Sequence, residues 1–330
     1  MARQARLDAP GTLHHVMGRG IEGIKIFRNN TDHEDFLDRL ADLCKSEALK
    51  VYAWALLDNH FHLLARTGKE PLSTNMRKLL TGYVVNFNRR HKRYGHLFQN
   101  RYKSIICEDD PYLLELTRYI HLNPLRAGMV KSLEELNEYR WCGHSVIMRK
   151  AERGWQDQDT VLAYFGKRRK EAIKGYGSFV EKGISQGRRP ELVGGGLVRS
   201  LGGWSQVLSL RRAGRKAYSD DRVLGSSDFV QTVLFEAEEK VQETLRLNLK
   251  ITDLSTLAGK ICESVGIEES DLRSGLRKRP ITKARRLFAL IAVKKMGYSG
   301  AEAARFLGVT TSAVNRLAAS EETDELKTYT

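Results

Sequence analysis

The chain has 330 residues, 41% of them hydrophobic, which is enough for about two or three domains with cores of their own. It carries 55 Lys and Arg against 40 Asp and Glu, and the net charge of +15 favours a polyanionic partner, most commonly a nucleic acid. It contains no Cys-x-x-Cys pair, signal-peptide pattern or membrane-spanning apolar stretch, so we expect a cytoplasmic protein with reduced thiols and no membrane partner.

The first third of the chain predicts alternating strands and helices. In chain order these are a strand at 12–18, a helix at 30–46, a hairpin at 49–67, a helix at 73–90, a strand at 101–107 and a helix at 110–122. Alternation places His14 and Val16 on one face of the first strand, and His15 and Met17 on the other. The order βαββαβ is typical of the α+β ferredoxin-like arrangement, in which helices cover one face of an antiparallel sheet. The other face is then free for a ligand or a nucleic acid.

The second strand of the hairpin carries two histidines, His60 and His62, with Phe61 between them. Because side chains alternate along a strand, the two imidazoles project from one face and Phe61 from the other. Two neutral imidazoles side by side can bind one divalent metal ion. The alternative is a histidine pair on a half-buried strand whose nitrogen atoms are satisfied by hydrogen bonds.

The helix predicted at 110–122 brings Tyr119 and Asn123 to one helical face or to its last turn. The plain interpretation is a pair of surface or packing residues. If this helix lies beside the hairpin, Asn123 can supply an oxygen ligand to the metal, and Tyr119 can present its hydroxyl to a phosphate held there. A phenol has a pKa of about 10, so it needs such help to act as a nucleophile at neutral pH.

Four segments of this region resemble a known family. HVMGRGIEGIKIF, YAWALLDNHFHLL, GHLFQNRYKS and RYIHLNPLRAGMV are similar to blocks of the HUH single-strand nucleases, and most similar to the single-tyrosine transposases of the REP-associated branch. The resemblance implies His60, His62 and Asn123 as ligands of Mg²⁺ or Mn²⁺, and Tyr119 as the nucleophile. It also implies a 5′-phosphotyrosine intermediate and a free 3′-hydroxyl. The phosphotyrosine ester stores the bond energy, so rejoining needs no ATP.

Basic side chains near these residues predict DNA contacts, with a plain surface role as the alternative for each. Arg19 follows the first strand, and Arg101 and Lys103 alternate on the fourth. Further basic candidates lie at the end of the helix at 73–90 and in the middle of the chain: Arg89, Arg90, Lys92, Arg211 and Arg212. In the loop before the fourth strand, the polar residues that could touch bases are His96, Gln99 and Asn100.

The rest of the chain predicts two further parts after a nuclease domain at 1–150. We expect a helical accessory and linker region at 151–248 and a helix-turn-helix domain at 249–330. In the last part Ser299 caps one helix, Gly308 permits a turn, and Thr310 or Thr311 caps the next helix.

The second of these helices directs four side chains toward a major groove, namely Thr311, Ser312, Asn315 and Arg316. The helix before them is basic through Lys278, Arg279, Arg285 and Arg286. This part is similar to the duplex-binding domain of the bacterial replication initiator, which implies that it binds duplex DNA. The alternative is a small helical hairpin that only packs.

With these patterns, the resemblance implies a metal-dependent single-strand DNA endonuclease and strand transferase that acts at hairpin-forming repeats. One alternative is a catalytically silent, sequence-specific DNA-binding protein or repressor that keeps the fold. A metallohydrolase using His60 and His62 is less favoured, because the usual Asp and His partners are not nearby. A single catalytic tyrosine permits a monomer or a homodimer with shared sites, and we expect the protein to be nucleoid-associated.

Overall fold

The computed structural model describes residues 7, 10–187, 189–193, 220–237, 253–276 and 278–320. The chain divides into two compact units, Met1–Leu234 and Phe235–Thr330. In the described part, no helix combines the length and the apolar composition that a bilayer crossing needs. The predicted three-part division at residues 150 and 248 stays a prediction.

The first unit is built on a five-stranded sheet in the order β2-β3-β1-β4-β5. The strands are β1 (Leu13–Arg19), β2 (Leu49–Leu57), β3 (His60–Thr67), β4 (Lys103–Cys107) and β5 (Val223–Leu224). The first four strands pair antiparallel, and β5 adds to β4 in parallel. The predicted α+β class with a ferredoxin-like strand order is confirmed.

Eight α-helices of the first unit have defined bounds. They are α1 (Asn30–Lys45), α2 (Leu72–Arg90), α3 (Asp109–His121), α4 (Asn123–Arg126), α5 (Leu133–Glu138), α6 (Gly143–Ile147), α7 (Gln158–Leu162) and α8 (Arg169–Lys182). Three short 3₁₀ turns lie at Ile21–Gly23, Ala163–Phe165 and Pro190–Val193. Helix α1 begins where the Asn29 side chain accepts a hydrogen bond from the Asp32 amide, a typical N-cap.

One face of the sheet packs against α1 and α2 through apolar side chains. The sheet supplies Val16, Phe61 and Leu63 to this core, and the helices supply residues such as Phe36, Leu40, Leu79 and Tyr83. Gly18 lies opposite Phe61, and the Phe61 ring fills the space where a β-carbon on residue 18 would lie. This face therefore forms a closed core.

The second face of the sheet is covered as well, so the prediction of a free face is wrong. Leu13, Leu64 and Ile105 from the strands pack with side chains of α3 and of α8, which lies beyond the predicted fold. The helix pattern at 110–122 showed that α3 exists, but not that it would lie across this face. A cleft lies where β1, β3 and β4 meet the loop at 99–101.

The second unit is helical. Its elements are α9 (Leu254–Val265), α10 (Glu269–Arg273), α11 (Arg279–Leu290), a π-helical turn at Ile291–Lys295, α12 (Gly300–Leu307) and α13 (Thr311–Ala318). Ser299 and Glu302 form a reciprocal capping box at the start of α12. Gly308 ends that helix with a φ of 67°, which glycine adopts without strain, and Thr310 caps α13.

Candidate functional site

His60 and His62 lie next to each other on the face of β3 that meets α3. Their ring centroids are 5.2 Å apart. The residues between and beyond them, Phe61 and Leu63, belong to the core on the other face. Strand alternation thus brings the two imidazoles together, as the His-x-His spacing predicts.

Both imidazoles are held through their Nδ1 atoms. The Nδ1 of His60 lies 2.7 Å from the Asn59 carboxamide oxygen, and the Nδ1 of His62 lies 3.0 Å from the Nε2 of His15. Among the described residues, neither Nε2 atom has a hydrogen-bond partner. The two Nε2 atoms are therefore open for another ligand.

The buried surroundings favour the neutral form of these rings. Burial lowers the pKa of His62 well below its usual value, and the neighbouring His15 and His60 lower it further. Burial and the positive charge of Arg19 lower the pKa of His60. Burial also lowers the pKa of His15 to about 4. Neutral imidazoles are the form that binds metal ions.

His15 is the member of this cluster that the sequence patterns did not single out. It lies on β1 opposite Leu64 and diagonally across from His62, and it is completely buried. Its ring stacks on that of His62 with centroids 5.2 Å apart. The predicted alternation put His15 on one face of β1, so the signal was present, but its pairing with β3 was needed to reveal the contact.

Tyr119 of α3 faces the two stacked histidines. Its ring centroid lies 6.0 Å from that of His62 and 6.0 Å from that of His15, and both contacts are edge-on. The guanidinium of Arg126 lies 5.3 Å from the Tyr119 ring centroid. The tyrosine is half-buried. Its contact with the ring of His62 brings the predicted nucleophile against one of the predicted metal ligands.

Asn123 lies one helical turn after Tyr119, at the start of α4. The chain continues between the two helices without leaving helical geometry, because the Leu122 amide still donates to the Arg118 carbonyl. Asn123 is 9% exposed, and its Nδ2 atom is buried without a hydrogen-bond partner among the described residues. A buried amide atom in that condition calls for a further partner.

These side chains fit a divalent cation by their chemistry. Two neutral imidazole nitrogens and a carboxamide are ligands that Mn²⁺ accepts, and oxygen ligands suit Mg²⁺. In the described residues, no group of three or more His, Cys, Asp or Glu is arranged to hold a metal. The sequence predicts the Asn123 carboxamide as a third protein ligand.

A cleft of about 570 Å³ opens beside the histidines. Its lining includes His60, His62, Arg19, Arg101 and Lys103, so three predicted basic residues share one opening with the histidine pair. The loop residues Gln99 and Asn100 also line it. The Gln99 amide donates to the Arg19 carbonyl at 2.9 Å, which ties this loop to the end of β1.

The basic cluster at the end of α2 is divided by the fold. Arg89 and Lys92 are exposed. Arg90 instead bonds both Asp35 and the fully buried Asp32, so its charge is balanced inside the unit. The structure does not bring Arg90 to the cleft.

In the second unit the predicted DNA contacts fall into two groups. The first group is exposed. It consists of four residues of α13, namely Thr311, Ser312, Asn315 and Arg316, and of Lys278 and Arg279 around the start of α11. The second group is buried or half-buried. Arg285 is only 8% exposed and donates to backbone carbonyls of Asp271, Leu272, Ser274 and Leu276, a structural role. Arg286 is half-buried and donates to Ser320 at 2.9 Å. Arg211 and Arg212 lie outside the described residues.

The family model described as "Transposase IS200 like" matches residues 12–123, which include both histidines, Tyr119 and Asn123. Among solved structures, the chain is similar to a REP-associated tyrosine transposase bound to a REP hairpin, with 14% identity and a TM-score of 0.38. That likeness covers 48% of this chain and 98% of the other. Comparison with curated protein sequences found no match.

Proposed function

We propose that the chain is a metal-dependent single-strand DNA nuclease and strand transferase, because residues 12–123 match the family model of the IS200-like transposases. Its substrate is single-stranded DNA next to a hairpin-forming repeat, as in the REP-associated branch that the sequence resembles. The observation that carries the proposal is the Tyr119 ring, whose centroid lies 6.0 Å from that of His62, a residue that lines a basic cleft.

The nucleophile in this proposal is the Tyr119 hydroxyl. Its oxygen attacks a backbone phosphorus and loses its proton to solvent, while the bond from phosphorus to the 3′-oxygen breaks. The 3′-oxygen takes up a proton and leaves as a free hydroxyl, and the 5′-phosphate stays on the tyrosine. Attack by a 3′-hydroxyl reverses these steps and rejoins a strand, so no external energy source is required.

His60, His62 and Asn123 would hold the Mg²⁺ or Mn²⁺ that the proposal requires. When bound, the cation would polarise the phosphoryl oxygens and position the scissile bond. The open Nε2 atoms of the two histidines support this assignment. For Asn123 the metal ligand would be the carboxamide oxygen, since its unpaired Nδ2 is a donor that needs an acceptor. Burial keeps the histidines neutral and ready to bind.

The cleft supplies the surface for the DNA strand. Arg19, Arg101 and Lys103 line it and would contact backbone phosphates, with Gln99 and Asn100 facing the same space. Arg89 and Lys92 add exposed positive charge at the end of α2. We leave Arg90 out of this surface because Asp32 and Asp35 already bind it.

Duplex DNA binding is proposed for the second unit. The exposed positions of α13 follow the turn at Gly308, and an exposed Arg316 among them can donate to a base edge or a phosphate. We expect Arg316→Ala to weaken duplex binding and to reduce its salt dependence by about one phosphate contact, if Arg316 binds the backbone. Fluorescence anisotropy at several salt concentrations measures both effects, and unchanged binding would remove this residue from the interface.

The catalytic proposal is tested with a labelled hairpin oligonucleotide that carries a single-stranded flank. With Mn²⁺, the full chain should form a covalent adduct that survives denaturing electrophoresis. Tyr119→Phe and excess EDTA should each abolish it. The matched control is Tyr94→Phe, because Tyr94 is 92% exposed and should not affect the reaction.

Two outcomes would contradict the catalytic proposal. An adduct that persists in Tyr119→Phe would exclude this tyrosine as the nucleophile. Tight duplex binding by the wild-type chain with no adduct under Mn²⁺ would favour the alternative, a DNA-binding protein that keeps the fold without turnover.

A further inference from the structure

We propose that His15 is a positioning residue that holds the His62 imidazole with its Nδ1 protonated, so that its Nε2 keeps the lone pair that would bind the cation. The backbone carbonyl of Leu192 sets the proton positions on His15 in turn. This inference rests on the proposed function, because it concerns how one proposed metal ligand is prepared. It adds to the site a residue and a chain segment that lie outside the pattern of His60, His62, Tyr119 and Asn123.

The proton positions follow from a row of three hydrogen-bonding groups. The Nδ1 of His15 lies 3.2 Å from the Leu192 carbonyl oxygen, and a carbonyl oxygen can only accept. The Nδ1 of His15 is therefore the donor, and in a neutral ring its Nε2 is the acceptor. That Nε2 lies 3.0 Å from the Nδ1 of His62, so the His62 Nδ1 must donate. The Nε2 of His62 is left with its lone pair.

His60 reaches the same state by a different route. The carboxamide of Asn59 donates through Nδ2 to the Gly23 carbonyl at 3.2 Å, which turns its oxygen toward the ring of His60. The Nδ1 of His60 then donates to that oxygen at 2.7 Å, and its Nε2 keeps a lone pair. Two independent contacts thus select the same tautomer for both histidines. An agreement of this kind is expected for a pair of metal ligands and is not required for packing alone.

Leu192 belongs to the 3₁₀ turn Pro190–Val193, which we call the strap. The strap lies beyond the residues 12–123 of the family match. Its Leu192 side chain is 2% exposed in the core beside α3, and its Val193 carbonyl accepts from the Lys103 ammonium at 2.7 Å. Just before the strap, Arg189 forms an ion pair with Glu115 of α3. The strap is therefore bound to the strands and to the helix that form the site.

A purely structural role for His15 makes a different prediction from a positioning role. If His15 only fills space, its replacement should change the stability of the fold and leave the metal affinity of the folded chain unchanged. If it positions His62, metal affinity should fall even in a folded variant, because second-shell partners of ligating histidines contribute about 10- to 100-fold in affinity. Metal affinity without DNA is thus a readout that separates the two roles.

The test measures Mn²⁺ binding to the full chain by electron paramagnetic resonance, with no DNA present. His15→Phe keeps a ring but cannot accept from His62, and we expect its affinity to fall about 10- to 100-fold. His15→Gln keeps an acceptor near the same place and should stay within about three-fold of wild type. The matched control is His14→Gln, which lies next to His15 on β1 and faces the other core, and its affinity should be unchanged.

The two proposals fail in distinguishable ways. If the wild-type chain binds Mn²⁺ and His62→Ala does not, but His15→Phe binds as tightly as wild type, the role of His15 is wrong and the metal site stands. If the wild-type chain neither binds Mn²⁺ nor forms the DNA adduct, the proposed function itself is wrong.

A second measurement keeps the inference testable if His15→Phe does not fold. Long-range ¹⁵N–¹H correlation spectra of the metal-free wild-type chain report directly which ring nitrogen of each histidine carries the proton. We expect His62 and His15 both to be protonated at Nδ1. A proton on the Nε2 of His62 would overturn the inference.

Discussion

The two faces of β3 differ in chemistry although their residues alternate along one strand. Phe61 and Leu63 enter an apolar core against α1 and α2. His60 and His62 enter a layer that holds His15, Tyr119 and a basic cleft. The comparison shows how one short strand separates the residues that stabilise the fold from those that carry out its proposed chemistry.

The layer on the His62 side of the sheet contains a second histidine cluster, which is not connected to the cleft and which we call the closed cluster. His121 and His144 both lie 2.7 Å from the hydroxyl of Tyr176, and His144 also bonds Asn137 at 2.8 Å. All three rings of this cluster are fully buried, and none of them lines the cleft beside His62. The cluster joins α3, α6 and α8, so its hydrogen bonds hold together the helices that carry Tyr119.

The largest effect is expected from His62→Ala on the cleft side of the strand. Loss of a metal ligand removes several kcal/mol of transition-state stabilisation, which corresponds to about a thousand-fold or more in rate. We expect the DNA adduct to disappear while the chain stays folded, as measured by adduct yield and by circular dichroism. The control is His14→Ala on the other face of β1, and a normal adduct yield in His62→Ala would break the comparison.

The next effect is expected from Phe61→Ala on the opposite side. Removing this fully buried ring should lower the free energy of unfolding by about 3–5 kcal/mol. Adduct yield per folded molecule should persist, because Phe61 does not line the cleft. Urea unfolding and the adduct assay below the unfolding transition measure the two quantities. Loss of the adduct with unchanged stability would reverse the roles that we assign to the two faces.

A smaller loss of stability is expected from Tyr176→Phe in the closed cluster. The change removes the hydroxyl that bridges His121 and His144, and an unpaired buried polar group costs about 1–3 kcal/mol. Urea unfolding should detect this loss, and Tyr164→Phe at a 50% exposed position is the control. Equal stability of Tyr176→Phe and wild type would show that the bridge contributes nothing.

The closed cluster also predicts how stability changes with pH. Burial lowers the pKa of His144 to about 3, whereas the unfolded chain binds the proton near 6.5. The unfolded state therefore takes up the proton first, and the metal-free chain loses stability as the pH falls from about 6.5 toward 3. This histidine contributes up to about 1.4 kcal/mol per pH unit.

Urea unfolding of His144→Gln at several pH values tests this expectation. The slope of stability against pH should be smaller in this variant than in wild type, since one proton-binding group is removed. His96→Gln is the matched control, a histidine replaced in the same way at an exposed position. The same slope in His144→Gln and wild type would contradict the assignment.

Short-range patterns in the sequence predicted much of the first unit. Alternation located the strands, helical spacing located α1, α2 and α3, and their order led to the ferredoxin-like sheet. The same alternation placed His60 and His62 on one face. These features depend on neighbours along the chain, and so a local pattern is sufficient to find them.

What the sequence could not supply depends on distant residues. The contact of His15 with His62 requires the pairing of β1 with β3, and its contact with Leu192 spans 177 positions. Arg90 has the exposed, basic pattern of a DNA contact until the fold brings Asp32 and Asp35 to it. The second sheet face looked open because the pattern of α3 does not show which face it crosses, and the residues of α8 that pack with it lie far beyond the predicted βαββαβ order.

The central claim is that Tyr119, beside the histidine pair, becomes covalently joined to DNA. Trypsin should release the peptide Tyr119–Arg126, whose only tyrosine is the proposed nucleophile. After reaction of the full chain with a hairpin oligonucleotide and Mn²⁺, followed by nuclease and trypsin digestion, tandem mass spectrometry should find a 5′-linked nucleotide on Tyr119. A nucleotide on any other residue, or none on this peptide in an active preparation, would contradict the account.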